Sequence, residues 1–152
     1  MSEILNLVSD KEIATEYKKR FFLKGGDKLA GSNDAASHLT VLLSNNPSRE
    51  QFAVIFLNAA NCIITSKVMF KGSLTSSAVY PREIIKKALE LDAASIIVGH
   101  NHPSGETKPS RDDIQITNKI NDACKTVDII LHDHIIITGK NGFYSFSDEG
   151  VI

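Results

Sequence analysis

Two continuous apolar runs constrain the fold more than any other feature of this 152-residue chain. Phe52 to Leu57 reads FAVIFL, and Ala93 to Gly99 reads AASIIVG. Both runs have the length of a strand, and neither shows the alternation of apolar and polar residues that is typical of a strand with one solvated face. We therefore expect two strands that other elements cover on both faces.

The segments around these runs predict the elements that cover them. Cys62 to Phe70 reads as the second strand of a hairpin, and the apolar positions that follow Pro81 have helical spacing. Another helix follows Ser110, a residue type that caps helix N-termini well. The remaining segments read as a strand within Val127 to Thr138, a short strand over Phe143 to Phe146, a loop over 72–77 and a turn over 139–142. This order predicts an α/β (α+β) fold with a mixed β-sheet flanked by helices.

The first 46 residues read less clearly than the rest. Ser32-Asn33-Asp34 has the residue types of a helix start, so we predict one helix in residues 1–46, packed on the core. Residues 12–20 fit either a helix or an extended segment. The length is that of one domain of about 150 residues. We expect a single globular unit with an extension over 1–46 and the principal domain over 47–152.

Composition excludes several classes of protein. Seventeen Lys and Arg against eighteen Asp and Glu leave a net charge of −1, which disfavours a strongly basic nucleic-acid binder. Cys62 and Cys124 lie far apart, which indicates free thiols in a reducing compartment and excludes a Cys-rich zinc site. The N-terminus lacks the apolar run of a signal peptide, and no stretch approaches the ~18 residues of a membrane span. We expect a cytoplasmic protein that has no membrane partner.

A histidine pair at the end of the second apolar run is the strongest chemical signal. His100 and His102 are two residues apart, and alternate residues of an extended chain project to the same side. Asp113, in the first turn of the next predicted helix, can return to the same point. Two nitrogens and a carboxylate suit Zn²⁺ in a site with an open fourth position. The alternative is a pair of polar residues at a strand end, because H-x-H alone is a weak motif.

The longer pattern resembles a known family. His100, His102, Ser110 and Asp113 match the spacing H-x-H, seven residues, Ser, two residues, Asp, which is the JAMM (MPN-plus) metalloprotease signature. The string HNHPSG, preceded by YPREIIKKALELDAASIIVG, resembles the RadC family of bacterial JAMM-domain proteins. The resemblance implies a three-layer fold similar to that of the cytidine deaminases. Relatives outside the RadC group are zinc peptidases and isopeptidases that remove ubiquitin-like tags.

The resemblance also implies residue roles. His100, His102 and Asp113 would bind one zinc ion, and Ser110 would help to stabilise the oxyanion. The general acid/base of the family is a Glu upstream of the first core strand, where this chain has Glu50. A carboxylate there could take a proton from the zinc-bound water and pass it to the leaving amine. Glu83 is the rival for this role, but a favourable charge in a helix first turn explains it well enough, so we place it behind Glu50.

A second H-x-H motif, His132-Asp133-His134, lies in an apolar predicted strand. We interpret it as one packed and one exposed histidine, and not as a metal site. Asp133-His134 also occurs in the RadC pattern, so either histidine could orient a metal ligand through a hydrogen bond.

Two functions remain open from the sequence. The first is a zinc-dependent hydrolase, a peptidase or isopeptidase acting on a protein or peptide. The alternative is a DNA-repair-associated or DNA-binding module of the RadC type, whose metal is structural or vestigial. A zinc deaminase is disfavoured because the chain lacks a P-C-x-x-C ligand pair. Many RadC relatives contain a helix-hairpin-helix region, and we expect the N-terminal segment of this chain to be too short for it. The oligomeric state stays open.

Overall fold

The computed structural model describes residues 6–72, 78–139 and 141–152. Residues 73–77 of the predicted loop and residue 140 of the predicted turn lie outside the described residues, as do residues 1–5 of the predicted extension. None of the helices in the described ranges is both long and apolar enough to cross a membrane.

A five-stranded mixed sheet forms the centre of the described structure. Its strands are β1 (Gln51–Leu57), β2 (Ile63–Lys71), β3 (Ser95–Asn101), β4 (Ile130–Ile137) and β5 (Phe143–Ser145), in the order β2-β1-β3-β4-β5. Only β3 and β4 pair in parallel, and the other neighbours are antiparallel. The predicted mixed sheet is confirmed.

Helices cover the sheet on both faces. They are α1 (Asp10–Phe21), α2 (Ser32–Leu42), α3 (Pro81–Glu90) and α4 (Arg111–Thr126). The apolar residues of α3 and α4 join one buried cluster with Phe52, Val54 and Phe56, and those of α2 join a second with Ala53 and Ile55. Successive residues of β1 therefore enter different cores, as the period of a strand requires.

This two-sided burial explains the two apolar runs. Every residue of β1 and of β3 is buried, as the sequence predicts. Gly99 on β3 lies where α2 approaches the sheet, because a Cβ atom there would come within 2.4 Å of a methyl carbon of Leu39. The sheet has room for α2 at this point only because residue 99 has no side chain.

The N-terminal segment corrects one prediction. We predict one helix in residues 1–46, but the structure has two, α1 and α2. Residues 12–20, left open by the sequence, are part of α1. This helix has no buried residue, and its N-terminus is a capping box between Ser9 and Glu12. In contrast, α2 buries four residues and forms a layer of the core.

His38 attaches α2 to its neighbours. The Leu23 backbone N–H donates to its Nδ1 at 2.9 Å, so its Nε2–H donates to the Ser66 hydroxyl at 2.7 Å. The ring also lies against Phe22, with centroids 4.6 Å apart. Burial lowers the pKa of His38 to about 4, so the ring is neutral at neutral pH and keeps the accepting nitrogen that Leu23 needs.

Candidate metal centre

Three side chains of types that can bind a metal meet at the end of β3. His100 is the penultimate residue of β3, His102 follows the strand, and Asp113 lies in the first turn of α4. Among the described residues, they form a group whose ligand atoms all lie within 4.8 Å of one another. The two Nε2 atoms are 2.9 Å apart, and Asp113 Oδ1 and Oδ2 lie 3.2 Å and 3.1 Å from Nε2 of His100 and His102. The structure thus brings together the predicted ligands.

The start of α4 orients Asp113. Ser110 is the predicted N-cap, and its Oγ accepts the Asp113 N–H at 3.0 Å. In return, the Ser110 N–H donates to Asp113 Oδ2 at 2.9 Å, which completes a capping box. The Asp113 side chain therefore turns back towards the cap, where both of its oxygens reach the histidines.

His102 is held by the loop that follows β3. The backbone N–H of His102 donates to the Ile137 carbonyl at 2.9 Å, and its ring Nδ1 lies 2.8 Å from the Glu106 carbonyl oxygen. A carbonyl only accepts, so Nδ1 has the proton and, in the neutral ring, Nε2 is a bare acceptor. The loop turns at Gly105, where φ is +85°, and the Asn141 side chain donates to the Gly105 carbonyl at 2.7 Å.

His100 is held by a chain of hydrogen bonds through His134 and Thr117. The Thr117 hydroxyl donates its one proton to the Asp113 carbonyl at 2.6 Å, so its contact of 2.6 Å with His134 Nδ1 requires that Nδ1 donates. Burial lowers the pKa of His134 well below its usual value, so the ring is neutral and its Nε2 accepts. His100 Nδ1 then donates to that atom at 2.8 Å, which leaves Nε2 of neutral His100 bare.

This donor set fits a metal cation. Two bare nitrogens and a carboxylate face one point, and without a cation they would repel one another unless a proton lay between them. A tetrahedral zinc ion with bonds of ~2.0–2.1 Å holds its ligand atoms roughly 3.3 Å apart, close to the separations in this site. His100, His102 and Asp113 are therefore the residues that would hold a metal cation.

The same contacts shift the acid–base behaviour of the ligands. The hydrogen bond to Asp113 raises the pKa of His102 above its usual value. Burial by itself would raise the pKa of Asp113, but hydrogen bonds with His100 and His102 outweigh burial and hold that pKa well below its usual value. Asp113 is thus ionised at neutral pH, as a metal ligand must be.

A cleft of about 840 Å³ opens over the cluster. Its lining includes Glu50, His102, Ser110 and Asp113, so the candidate acid/base and the candidate oxyanion residue face the same space as the ligands. Ser110 uses an oxygen lone pair in its capping bond, which leaves its hydroxyl proton for another acceptor. Glu83 is exposed in the first turn of α3 and is not in the lining of this cleft.

Two supporting residues differ in how visible they are in the sequence. His132 is exposed and His134 is fully buried, which confirms the prediction of one exposed and one packed histidine. The sequence does not single out Thr117. Its only signal is the spacing of four residues from Asp113, which places both on one face of a helix.

Known proteins resemble this chain over most of its length. The family model described as RadC-like JAB domain matches residues 29–151. The chain is 44% identical over 128 residues to a UPF0758 protein of Photobacterium profundum and 43% identical over 146 residues to one of Clostridium botulinum. These matches cover 84% and 92% of this chain but only 56% and 62% of those proteins. UPF0758 protein YfjY of Escherichia coli is 40% identical over 121 residues, which are 80% of this chain and 75% of that protein.

Proposed function

This chain belongs to the RadC-like JAB domain family, and we propose that it is a zinc-dependent hydrolase of amide bonds in a protein or peptide. The observation that supports the proposal most is that Nε2 of His100 and Nε2 of His102 face each other and the Asp113 carboxylate beside an open cleft. Two nitrogens and one carboxylate are a ligand set of catalytic zinc sites, which keep a further position for water or substrate. The family match begins before α2 and extends to the end of the sheet, so it includes the whole candidate site.

Bound zinc would supply Lewis-acid polarisation of a carbonyl and a water whose pKa is lowered to ~7. The protein must supply everything else. Glu50 lies in the lining of the same cleft as His102 and Asp113. We propose that its carboxylate takes a proton from the attacking water and passes it to the leaving nitrogen. Ser110 would donate its hydroxyl proton to the oxygen on which negative charge develops.

The cleft is large and open enough to take an extended substrate. Its volume of about 840 Å³ is near the upper end of small-molecule sites, which run to ~1,000 Å³, and it is open to solvent. A peptide or isopeptide that lies along the surface can place one amide over the cluster. We therefore propose a polypeptide substrate.

The DNA-associated alternative gains no support from the observations above. The net charge of −1 gives no general attraction to phosphate. That alternative predicts salt-sensitive DNA binding that survives loss of His102. We do not propose DNA binding as the function. A His102 variant, assayed for DNA binding at several salt concentrations, can test it.

The proposal is tested by a metal assay combined with a cleavage screen. We expect purified protein to contain about one zinc per chain and to cleave a member of a peptide or isopeptide library. Glu50→Gln should keep the zinc and lose cleavage by about a hundredfold or more, the effect of removing a general acid/base. Glu83→Gln is the matched control, and should behave as wild type. Absence of stoichiometric zinc, or full cleavage by Glu50→Gln, would contradict the proposal.

A further inference from the structure

Asn101 lies between the two histidine ligands, but it makes its hydrogen bonds with another strand. Its Oδ1 accepts the Gln51 N–H at 2.7 Å, and its Nδ2 donates to the Arg49 carbonyl at 2.8 Å. These two backbone groups belong to the residues immediately before and after Glu50. The side chain of Asn101 therefore holds the backbone on both sides of the candidate acid/base.

The register of the sheet explains why a side chain is needed here. The antiparallel pairing of β1 with β3 runs from Leu57 with Ser95 to Phe52 with His100. Beyond that pair, β3 ends at Asn101, and the chain turns away into the loop of His102. The Asn101 amide takes the place of the backbone partners that the departing strand no longer offers to the residues around Glu50.

The Glu50 backbone is also fixed from its other side. Its carbonyl accepts the Gly72 N–H at 3.0 Å, at the end of β2. Asn101 is 7% exposed, so its two hydrogen bonds are shielded from competition with water. With the backbone held on both flanks, the point from which the Glu50 side chain starts is fixed relative to the ends of β1 and β3.

We propose that Asn101 is a positioning residue that sets the separation between the Glu50 carboxylate and the His100–His102–Asp113 cluster. The proposal rests on the proposed function, in which Glu50 moves the proton. One strand end then determines both parts of the site, because the residues that bind the metal flank the residue that places the acid/base. An error of about 1 Å in such a group can cost a hundredfold in rate.

Asn101→Ala removes both hydrogen bonds and is the principal variant. In zinc-loaded protein acting on a peptide from the screen above, we expect kcat to fall about ten- to a hundredfold, with KM and zinc content unchanged. The Gln51 amide, followed by NMR, should exchange with solvent at least about tenfold faster, because it loses its acceptor. When Asn101→Ala is added to Glu50→Gln, kcat should fall no further.

Two further variants separate positioning from a general loss of stability. Asn101→Asp keeps an acceptor for the Gln51 N–H but has no donor for Arg49, so it should restore protection of the Gln51 amide and only part of kcat. Asn58→Ala removes an asparagine that accepts the N–H groups of Ala60 and Cys62 at the opposite end of β1. This control should leave kcat and the Gln51 exchange rate at their wild-type values.

Three results would overturn the proposal. They are wild-type exchange at Gln51 in Asn101→Ala, loss of zinc from that variant, and an equal fall of kcat in the wild-type and Glu50→Gln backgrounds. If the wild-type protein cleaves nothing, the proposed function fails. The positioning role of Asn101 can then be tested separately in protein loaded with cobalt(II), from the pH dependence of the cobalt absorption. We expect Asn101→Ala to move the pH midpoint of the cobalt absorption change in the direction of Glu50→Gln. A midpoint at the wild-type value in Asn101→Ala overturns the positioning role.

Discussion

Two H-x-H tripeptides lie on the neighbouring parallel strands β3 and β4, and the structure uses them differently. In His100-Asn101-His102 the chain leaves the sheet after the middle residue, and both rings reach Asp113. In His132-Asp133-His134 the first ring is exposed and the second is buried against His100. The same spacing gives a candidate metal site at a strand end and a supporting residue within a strand.

A β-bulge causes this difference. Ile96 pairs with Leu131 and Ile97 with Asp133, so His132 is an additional residue in β4. After the bulge, His134 pairs with Val98, on the face where His100 also lies. Alternate residues of a regular strand share a face, but the bulge lets His132 point to solvent while His134 enters the core. The spacing H-x-H therefore does not place both rings of the second tripeptide on one face, because the bulge at His132 separates them.

Removal of one ring from each tripeptide should give the largest difference between them, in zinc binding. His102→Ala should lose stoichiometric zinc, because it removes one of the three proposed protein ligands. The matched variant His132→Ala should keep zinc and change the free energy of unfolding by less than ~0.5 kcal/mol, as is usual at an exposed site. Elemental analysis and urea unfolding measure both. Loss of zinc from His132→Ala would contradict the assignment of metal binding to the first tripeptide alone.

The sequence predicts this fold well where burial is strong. The runs over β1 and β3 are apolar because both faces are covered, and Ser110 and Asp113 have local capping chemistry that a sequence shows directly. The sequence leaves helix α1 open because Ile13, Thr15 and Tyr17 also fit the alternation of an extended segment, and burial does not decide between the two, since no residue of the helix is buried.

The supporting residues were harder to predict, for a different reason. The contact of His134 with His100 depends on a bulge, and the contact of Asn101 with the Glu50 flanks depends on strand register. The choice of Glu50 over Glu83 likewise depends on which elements line the cleft. Such features follow from pairing between distant segments, which residue types alone do not specify.

Replacing the buried ring of the second tripeptide should weaken the site without removing a ligand. His134→Phe keeps the apolar contacts with Phe52 and Phe146 but leaves the His100 Nδ1–H with no acceptor. Zinc affinity should fall about ten- to a hundredfold, the usual effect of losing a partner of a metal ligand. Competition with a chromophoric chelator measures the affinity. Wild-type affinity in His134→Phe would contradict the role of the second tripeptide as a support.

The two tripeptides should also differ in how they respond to pH. The pKa of His102 is raised by Asp113, whereas burial holds the pKa of His134 well below its usual value. A proton on His102 competes with zinc, so affinity should fall as pH decreases through and below the raised pKa, which lies above 6.5. The expected slope there is about tenfold per pH unit for one displaced proton.

NMR of the histidine rings in the zinc-free protein can measure the protonation of His102 and of His134 separately. The His102 ring should protonate at a pH above 6.5, and the His134 ring should stay neutral with its proton on Nδ1. A zinc affinity independent of pH between 6 and 8, or a protonated His134 ring at neutral pH, would contradict the assignment of tautomers.

Thr117 gives the smallest and most specific test, because it touches the second tripeptide but no metal ligand side chain. Thr117→Val keeps the shape of the side chain and removes the acceptor of the His134 Nδ1–H. We expect a loss of ~1–3 kcal/mol in the free energy of unfolding, the cost of a buried unpaired donor. Zinc affinity should fall only a fewfold, since the contact between His134 and His100 can persist.

The same helix offers the control for Thr117. Thr126 also donates to the carbonyl four residues earlier, that of Asp122 at 3.0 Å, but it is exposed. Thr126→Val should change stability and zinc affinity little, because water can replace its hydrogen bond. If Thr117→Val and Thr126→Val gave equal effects in urea unfolding and in zinc competition, the hydroxyl of Thr117 would serve only α4. A larger effect of Thr117→Val on zinc affinity would place Thr117 in the chain of hydrogen bonds that sets the His100 tautomer.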